Sequence, residues 1–148
     1  MRYQKWFLAA VLVLSVLAST SSSAPAPTFS TIDFPGASFT VAFGINNRGE
    51  IVGNYGFADG TGHGFLLDKG NFRTIDFPGA FTQASGINNR GQIVGAAGRT
   101  HGFLLDKGNF TTIDFPGAPA TAPKGALGIN DGGQIVGFYG TSLGFLLD

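Results

Sequence analysis

Cysteine is absent from this 148-residue chain, and charge is scarce, with nine Lys/Arg, nine Asp/Glu and two His. Without a thiol there is no disulfide staple, no cysteine nucleophile and no cysteine to carry a lipid, so stability must come from burial and strand pairing. Setting aside Arg2 and Lys5 of the N-terminal segment, seven Lys/Arg face nine Asp/Glu, and no basic cluster remains. Nucleic acid is therefore excluded as a partner, because displacing the counterions of phosphates takes clustered positive charge. The basic amphipathic face that membrane-surface binding needs is missing as well.

Long apolar runs are also lacking, with one exception. Arg2 and Lys5 precede the run Trp6 to Ala18, which is followed by STSSSA. A charged start, a short apolar centre and small polar residues read as a secretory signal peptide over residues 1–23, since the run falls short of the roughly 20 residues that cross a bilayer. The expected product is secreted to the cell exterior, the cell surface or the periplasm, with cleavage between Ser21 and Ala24 and no membrane contact afterwards. Residues 24–28, APAPT, read as an extended linker, because proline disfavours helix at itself and at the residue before it.

Helical periodicity is the third absence. Beyond the first segment the apolar runs are four to six residues long, rich in Ile, Val, Phe and Thr, and broken by many of the 24 Gly and seven Pro. That pattern excludes helix and predicts short strands.

What the chain does contain is one unit written three times. TIDFPGA begins at Thr31, Thr74 and Thr112, GIN at Gly44, Gly86 and Gly128, and GFLLD at Gly64, Gly102 and Gly144. A period near 40 residues, combined with strand patterning, predicts an all-β domain over 29–148 in three units of approximately 29–70, 71–108 and 109–148. Each unit reads as four antiparallel strands, represented by Thr40 to Ile45, Glu50 to Tyr55, Gly64 to Asp68 and Asn71 to Phe77. NNRG and DKGN supply the hairpin turns, with Gly70 expected at positive φ. Apolar residues on both faces of FLL and IV ask for cover on both sides. This favours a β-propeller-like array, partial or three-bladed, over the alternative of a three-sheet β-prism.

The order of elements poses a question of closure. FSTIDFP (Phe29 to Pro35) reads as a fourth-type strand placed first, while the last unit lacks its own fourth strand. The segment is expected to complete a sheet within the chain, or to do so in a homo-oligomer through exchange of Phe29–Pro35; the third arrangement is a piece of a larger propeller. An unpaired apolar GFLLD edge would otherwise invite aggregation.

The units GINNRGQIVG (Gly86 to Gly95) and HGFLL (at His63 and His101) resemble the HAF-type extracellular repeat of bacteria, in which a GINNxGQVVG hairpin is paired with an HAFLW-like strand. The resemblance covers most of Phe29 to Asp148. Here Gly64 and Gly102 replace the family's Ala, Leu67, Leu105 and Leu147 stand where Trp is usual, and Leu143 replaces His in the third unit. The resemblance implies an exported, propeller-like, non-enzymatic repeat protein.

Catalysis and metal binding find little in the residues. His63 and His101 occupy equivalent places in successive units, as residues inherited with a repeat do, and a three-His zinc site has no third member. Asp33, Asp76 and Asp114 recur once per unit and are expected to accept backbone N–H groups of the following PGA turn. Asp68, Asp106 and Asp148 read as turn formers. ADGTG offers calcium a single carboxylate, Asp59. Phe72, Phe77, Phe110 and Phe115 read as core, with sugar stacking as the alternative.

Length variation falls after second and fourth strands, on one rim, where insertions commonly mark a binding face. The ligand-binding candidates are accordingly Asp59, His63, Arg99, His101 and Lys124, with no cofactor and no catalytic or metal residue. The expected function is a secreted non-catalytic binding or scaffolding module for a glycan or cell-surface ligand. A ligand-free structural surface repeat and a fragment of a larger propeller protein or enzyme are the alternatives.

Overall fold

A computed structural model describes residues 24–122 and 124–148; the signal peptide read over 1–23 lies outside the described residues. Residues 24–30 carry no strand, and Thr31–Asp148 forms one compact unit. Eleven strands make it up. The first sheet holds β1 (Phe39–Ile45), β2 (Ile51–Gly56), β3 (Gly62–Asp68) and β4 (Asn71–Ile75). The second holds β5 (Thr82–Ile87), β6 (Ile93–Ala97), β7 (His101–Asp106) and β8 (Asn109–Ile113), and the third β9 (Lys124–Ile129), β10 (Ile135–Tyr139) and β11 (Leu143–Leu147). Every neighbouring pair is antiparallel and sequential, and no helix occurs among the described residues.

The hairpin joining first and second strands is held by its first asparagine. Asn46 Oδ1 accepts the N–H of Arg48 (3.0 Å) and of Glu50 (3.1 Å), and Gly49 turns the chain at φ +78°. Asn88 repeats both bonds in the second sheet. The DKG turn is of the mirror-image type that suits strand twist, with Lys69 at φ 49° as well as Gly70 at φ 82°. A lysine in that conformation is an added feature beyond the expected glycine.

A bulge breaks the register of each first strand, between Ala42 and Gly44, between Ala84 and Gly86, and opposite Val136/Gly137 in the third sheet. The IVG glycine belongs to this arrangement. A Cβ on Gly95 would strike the Gln83 carbonyl and sit 2.8 Å from the Phe103 ring, so only glycine lets that ring lie across the strand.

The three sheets stack in sequence, the first strand of each lying across its predecessor: β5 on β1, β2 and β3, and β9 on β5, β6 and β7. Val52, Ile75, Ala84, Ile87 and Phe103 fill the first seam, and Val94, Ala126 and Ile135 the second. Each fully buried Val or Phe contributes about 1.5–3 kcal/mol relative to exposure. The stack stays open at both ends: Val41, Phe43 and Ile45 of the first sheet and Val136 and Leu146 of the third are exposed.

Two expectations need correction. Phe29–Pro35 forms no strand; residues 24–38 are irregular, because a strand needs a ladder partner and none pairs with this segment. The Asp carboxylates of TIDFPGA do not hold the PGA turns either. Those turns close through backbone bonds from Ala37, Ala80 and Ala118 N–H to the Phe34, Phe77 and Phe115 carbonyls (3.1–3.3 Å), around Gly36, Gly79 and Gly117 at φ 76–78°. Pro followed by a positive-φ glycine already makes a complete type II turn, which leaves the carboxylate available for other partners.

Candidate functional site

The linker after each fourth strand anchors on the next sheet through its phenylalanine. Phe34 stacks on Tyr55 (3.6 Å between centroids, 5° between planes) and Phe115 on Tyr139 in the same way (3.7 Å, 5°). In the second sheet Ala97 takes the tyrosine's place, and Phe77 leans on Phe110 instead (5.3 Å). The recurring phenylalanines are thus packing residues.

With the linker fixed, its aspartate falls beside the start of the third strand. Asp76 Oδ1 lies 2.7 Å from His63 Nδ1, and Asp114 Oδ1 3.1 Å from His101 Nδ1. A carboxylate accepts, so Nδ1 carries the proton and Nε2 of the neutral ring is left as its acceptor. The same thirteen-residue spacing, with both partners recurring together, was the signal in the sequence. Asp33, which has no such histidine, accepts the Thr40 hydroxyl (3.3 Å).

The five candidate residues divide between two clefts on the rim of the β2–β3 and β6–β7 loops. The first, about 380 Å³, is walled by Thr61, Gly62 and His63 on one side and Asp76, Phe77 and Phe81 on the other. Phe81 is exposed at its edge. Asp59 stands in the adjoining loop, where Oδ1 accepts the Thr61 N–H (2.9 Å) and hydroxyl (2.7 Å). The Thr61 hydroxyl, then its N–H, hold this carboxyl below the usual aspartate range.

The second cleft, about 290 Å³, contains Arg99 and Lys124 together with Gln83, Ser85, Leu127 and Phe138. Lys124 is only 4% exposed. Its Nζ donates to the Thr100 carbonyl (3.4 Å) and lies 3.8 Å from Asp114, which also holds His101. Lys124 therefore ties the third sheet to the second. It occupies the place of Thr40 and Thr82, whose hydroxyls accept the N–H of Phe34 (2.9 Å) and Phe77 (2.8 Å). The structure thus joins His101 to Lys124 through Asp114, sets Arg99 near Lys124, and keeps Asp59 and His63 apart from all three. Among the described residues, no group of three His, Asp or Glu converges as metal ligands would.

Sequence reasoning missed a ladder on the opposite rim, where the GIN ends of the three sheets meet. Asn46 Nδ2 donates to the Asn88 carbonyl (3.1 Å) and Asn88 Nδ2 to the Asn130 carbonyl (3.0 Å). Beside them, Asn47 N–H donates to Asn89 Oδ1 (2.9 Å) and Asn89 N–H to Asp131 Oδ1 (2.8 Å). Every step spans 42 residues, one repeat. The Asn89 backbone donor, then its side chain, hold the Asp131 carboxyl below its usual range.

No protein-family model matches this chain, nor does any curated protein or solved structure compared with it.

Proposed function

We propose that the chain is a secreted, non-catalytic β-repeat protein of the propeller type, akin to the HAF-type repeat it resembles, acting as a binding module for a neutral glycan at the cell exterior. The observation that carries this reading is the first cleft. It sets an exposed aromatic ring, Phe81, beside the polar groups of Thr61, His63 and Asp76 on the rim where repeat lengths vary. Sugars bind by such pairing of an apolar ring face with hydroxyl-directed hydrogen bonds, and the low local charge suits an uncharged ligand. The propeller reading draws support from the first strands, each laid across the sheet before it, with their GIN ends gathered in one asparagine ladder. A non-catalytic role fits histidines that are paired one to one with aspartates in the same register of successive sheets.

A glycan array with the purified protein, followed by calorimetry on any hit, tests the proposal. Binding is expected to fall at least tenfold in Phe81→Ala and His63→Ala while Arg48→Ala on the far rim binds normally, an aromatic contact being worth about 1 kcal/mol or more. Absence of binding across the array would favour a structural surface repeat without a ligand.

A further inference from the structure

The third sheet is open where the first two are filled. In the first sheet Phe72 of β4 sits 5.3 Å from Phe65 and 5.1 Å from Phe34. In the second, Phe110 of β8 sits 5.3 Å from both Phe103 and Phe77. The third sheet supplies the corresponding Phe145 and Phe115 without the fourth strand that would bring a third ring. An apolar groove of about 390 Å³ lies there, lined by Leu104, Ile113, Phe115, Phe145 and Leu146, alongside the unpaired edge of β11.

The sequence holds one further copy of the missing strand. Residues 28–37, TFSTIDFPGA, align with NFRTIDFPGA from Asn71 and NFTTIDFPGA from Asn109, which puts Phe29 in the place of Phe72 and Phe110. A chain cannot deliver this segment to its own third sheet. Phe34 is anchored on the first sheet by its stack on Tyr55, and the five residues back to Phe29 span at most about 17 Å. The same five-residue step from Phe72 to Phe77 crosses between adjacent sheets. The third sheet lies two such steps from the first, and packed sheets are about 10 Å apart before the outer edges are reached.

We propose that two copies of the chain exchange residues 28–32, each adding a fourth strand to β11 of the other and so closing a pair of six stacked sheets. The register is that of β3 with β4, where Gly64 faces Ile75 and Asp68 faces Asn71; it sets Ile32 opposite Gly144 and Thr28 opposite Asp148. Phe29 then enters the groove. The same docking lays the exposed face of one first sheet (Phe43, Ile45) on the exposed face of the other third sheet (Val136, Leu146), repeating a seam the chain already makes twice within itself. Polar groups agree. Asp33 falls opposite Leu143, where the other sheets have His, and Asp33 already has its own partner in Thr40. Continuing the ladder sets the Asp131 N–H of one copy on Asn47 Oδ1 of the other. Interfaces of this head-to-tail kind close into rings when the rotation permits.

The full chain, isolated as it is made, is examined by sedimentation velocity. The expected mass is that of two copies at about 10 µM, and Phe29→Asp, a change in a segment without strand structure, is expected to weaken association at least about tenfold. Because the chain has no cysteine, Ser30→Cys combined with Leu146→Cys provides one pair of thiols at facing positions. Oxidation is expected to give a covalent pair on a non-reducing gel. A one-copy mass at that concentration, an unchanged pair in Phe29→Asp, a disulfide confined within one chain, or open chains that lengthen with concentration would each overturn the proposal.

Discussion

The middle sheet and its two neighbours are written in nearly the same residues and live in different surroundings. Val52 and Val94 are fully buried, whereas their repeat equivalent Val136 is 49% exposed. Ile87 is 7% exposed and its equivalent Ile45 is 66% exposed. The difference lies in the neighbours: the second sheet is covered on both faces, the first and third on one. Burial in a stacked repeat is a property of position in the stack, so equal residues carry unequal energies.

Substitutions at matched positions measure that inequality. The largest contrast is expected for the phenylalanine of the third strand. Phe103→Ala should cost about 3–5 kcal/mol in chemical denaturation, and Phe145→Ala, half-buried beside the open groove, less than half as much. Equal losses would mean that the third sheet is covered in solution. Next comes the valine of the second strand: Val94→Ala should cost about 2 kcal/mol and Val136→Ala less than about 0.5 kcal/mol.

The ladder gives a smaller contrast. Asn88→Ala removes acceptors for Arg90 and Gln92 N–H and a donor to the Asn130 carbonyl, for about 1.5 kcal/mol. Asn130→Ala, at the end of the ladder, should cost about half of that by the same denaturation assay.

Acid sensitivity is the smallest effect and belongs to the first sheet. Glu50 accepts from Asn46 Nδ2 (2.6 Å) where the other sheets use Gln92 and Gln134, and the Arg48 guanidinium holds its carboxyl below the ordinary 4.5. A carboxyl whose pKa is depressed on folding contributes stability that is complete above the ordinary value and lost as pH falls through the folded one. Unfolding midpoints should therefore fall below about pH 4.5, and Glu50→Gln, which keeps the acceptor and loses the titration, should flatten that decline by less than about 1 kcal/mol. An unchanged acid limb in Glu50→Gln would assign the loss to Asp131 or Asp59, the other carboxyls held low.

Much of the fold was legible because its signals are local. Short β-branched and aromatic runs, Asn-Asn-Arg-Gly and Asp-Lys-Gly turns, and their recurrence specify sequential antiparallel strands with little reference to the rest of the chain. The β-bulge was not legible, since it depends on how closely a glycine in one strand meets the backbone of the next. The candidate residues fell on the correct rim but in two clefts, because which loops adjoin is decided by how one sheet lies on another. Lys124 illustrates the point: as a lone cation before a strand it read as a ligand contact, whereas it is buried and bound to the Thr100 carbonyl.

By itself the sequence determined the repeating unit, its strand order, its turns and the rim on which lengths vary, all of which follow from side-chain sterics and hydrogen bonding within a few residues. Only the tertiary structure decided which identical residues are buried, that Phe29–Pro35 has no partner in the stack, that aspartates meet histidines and not turn amides, and that asparagines link one repeat to the next. Those outcomes require neighbouring sheets, and residues 42 apart carry no information about one another until the sheets bring them within a hydrogen bond's reach.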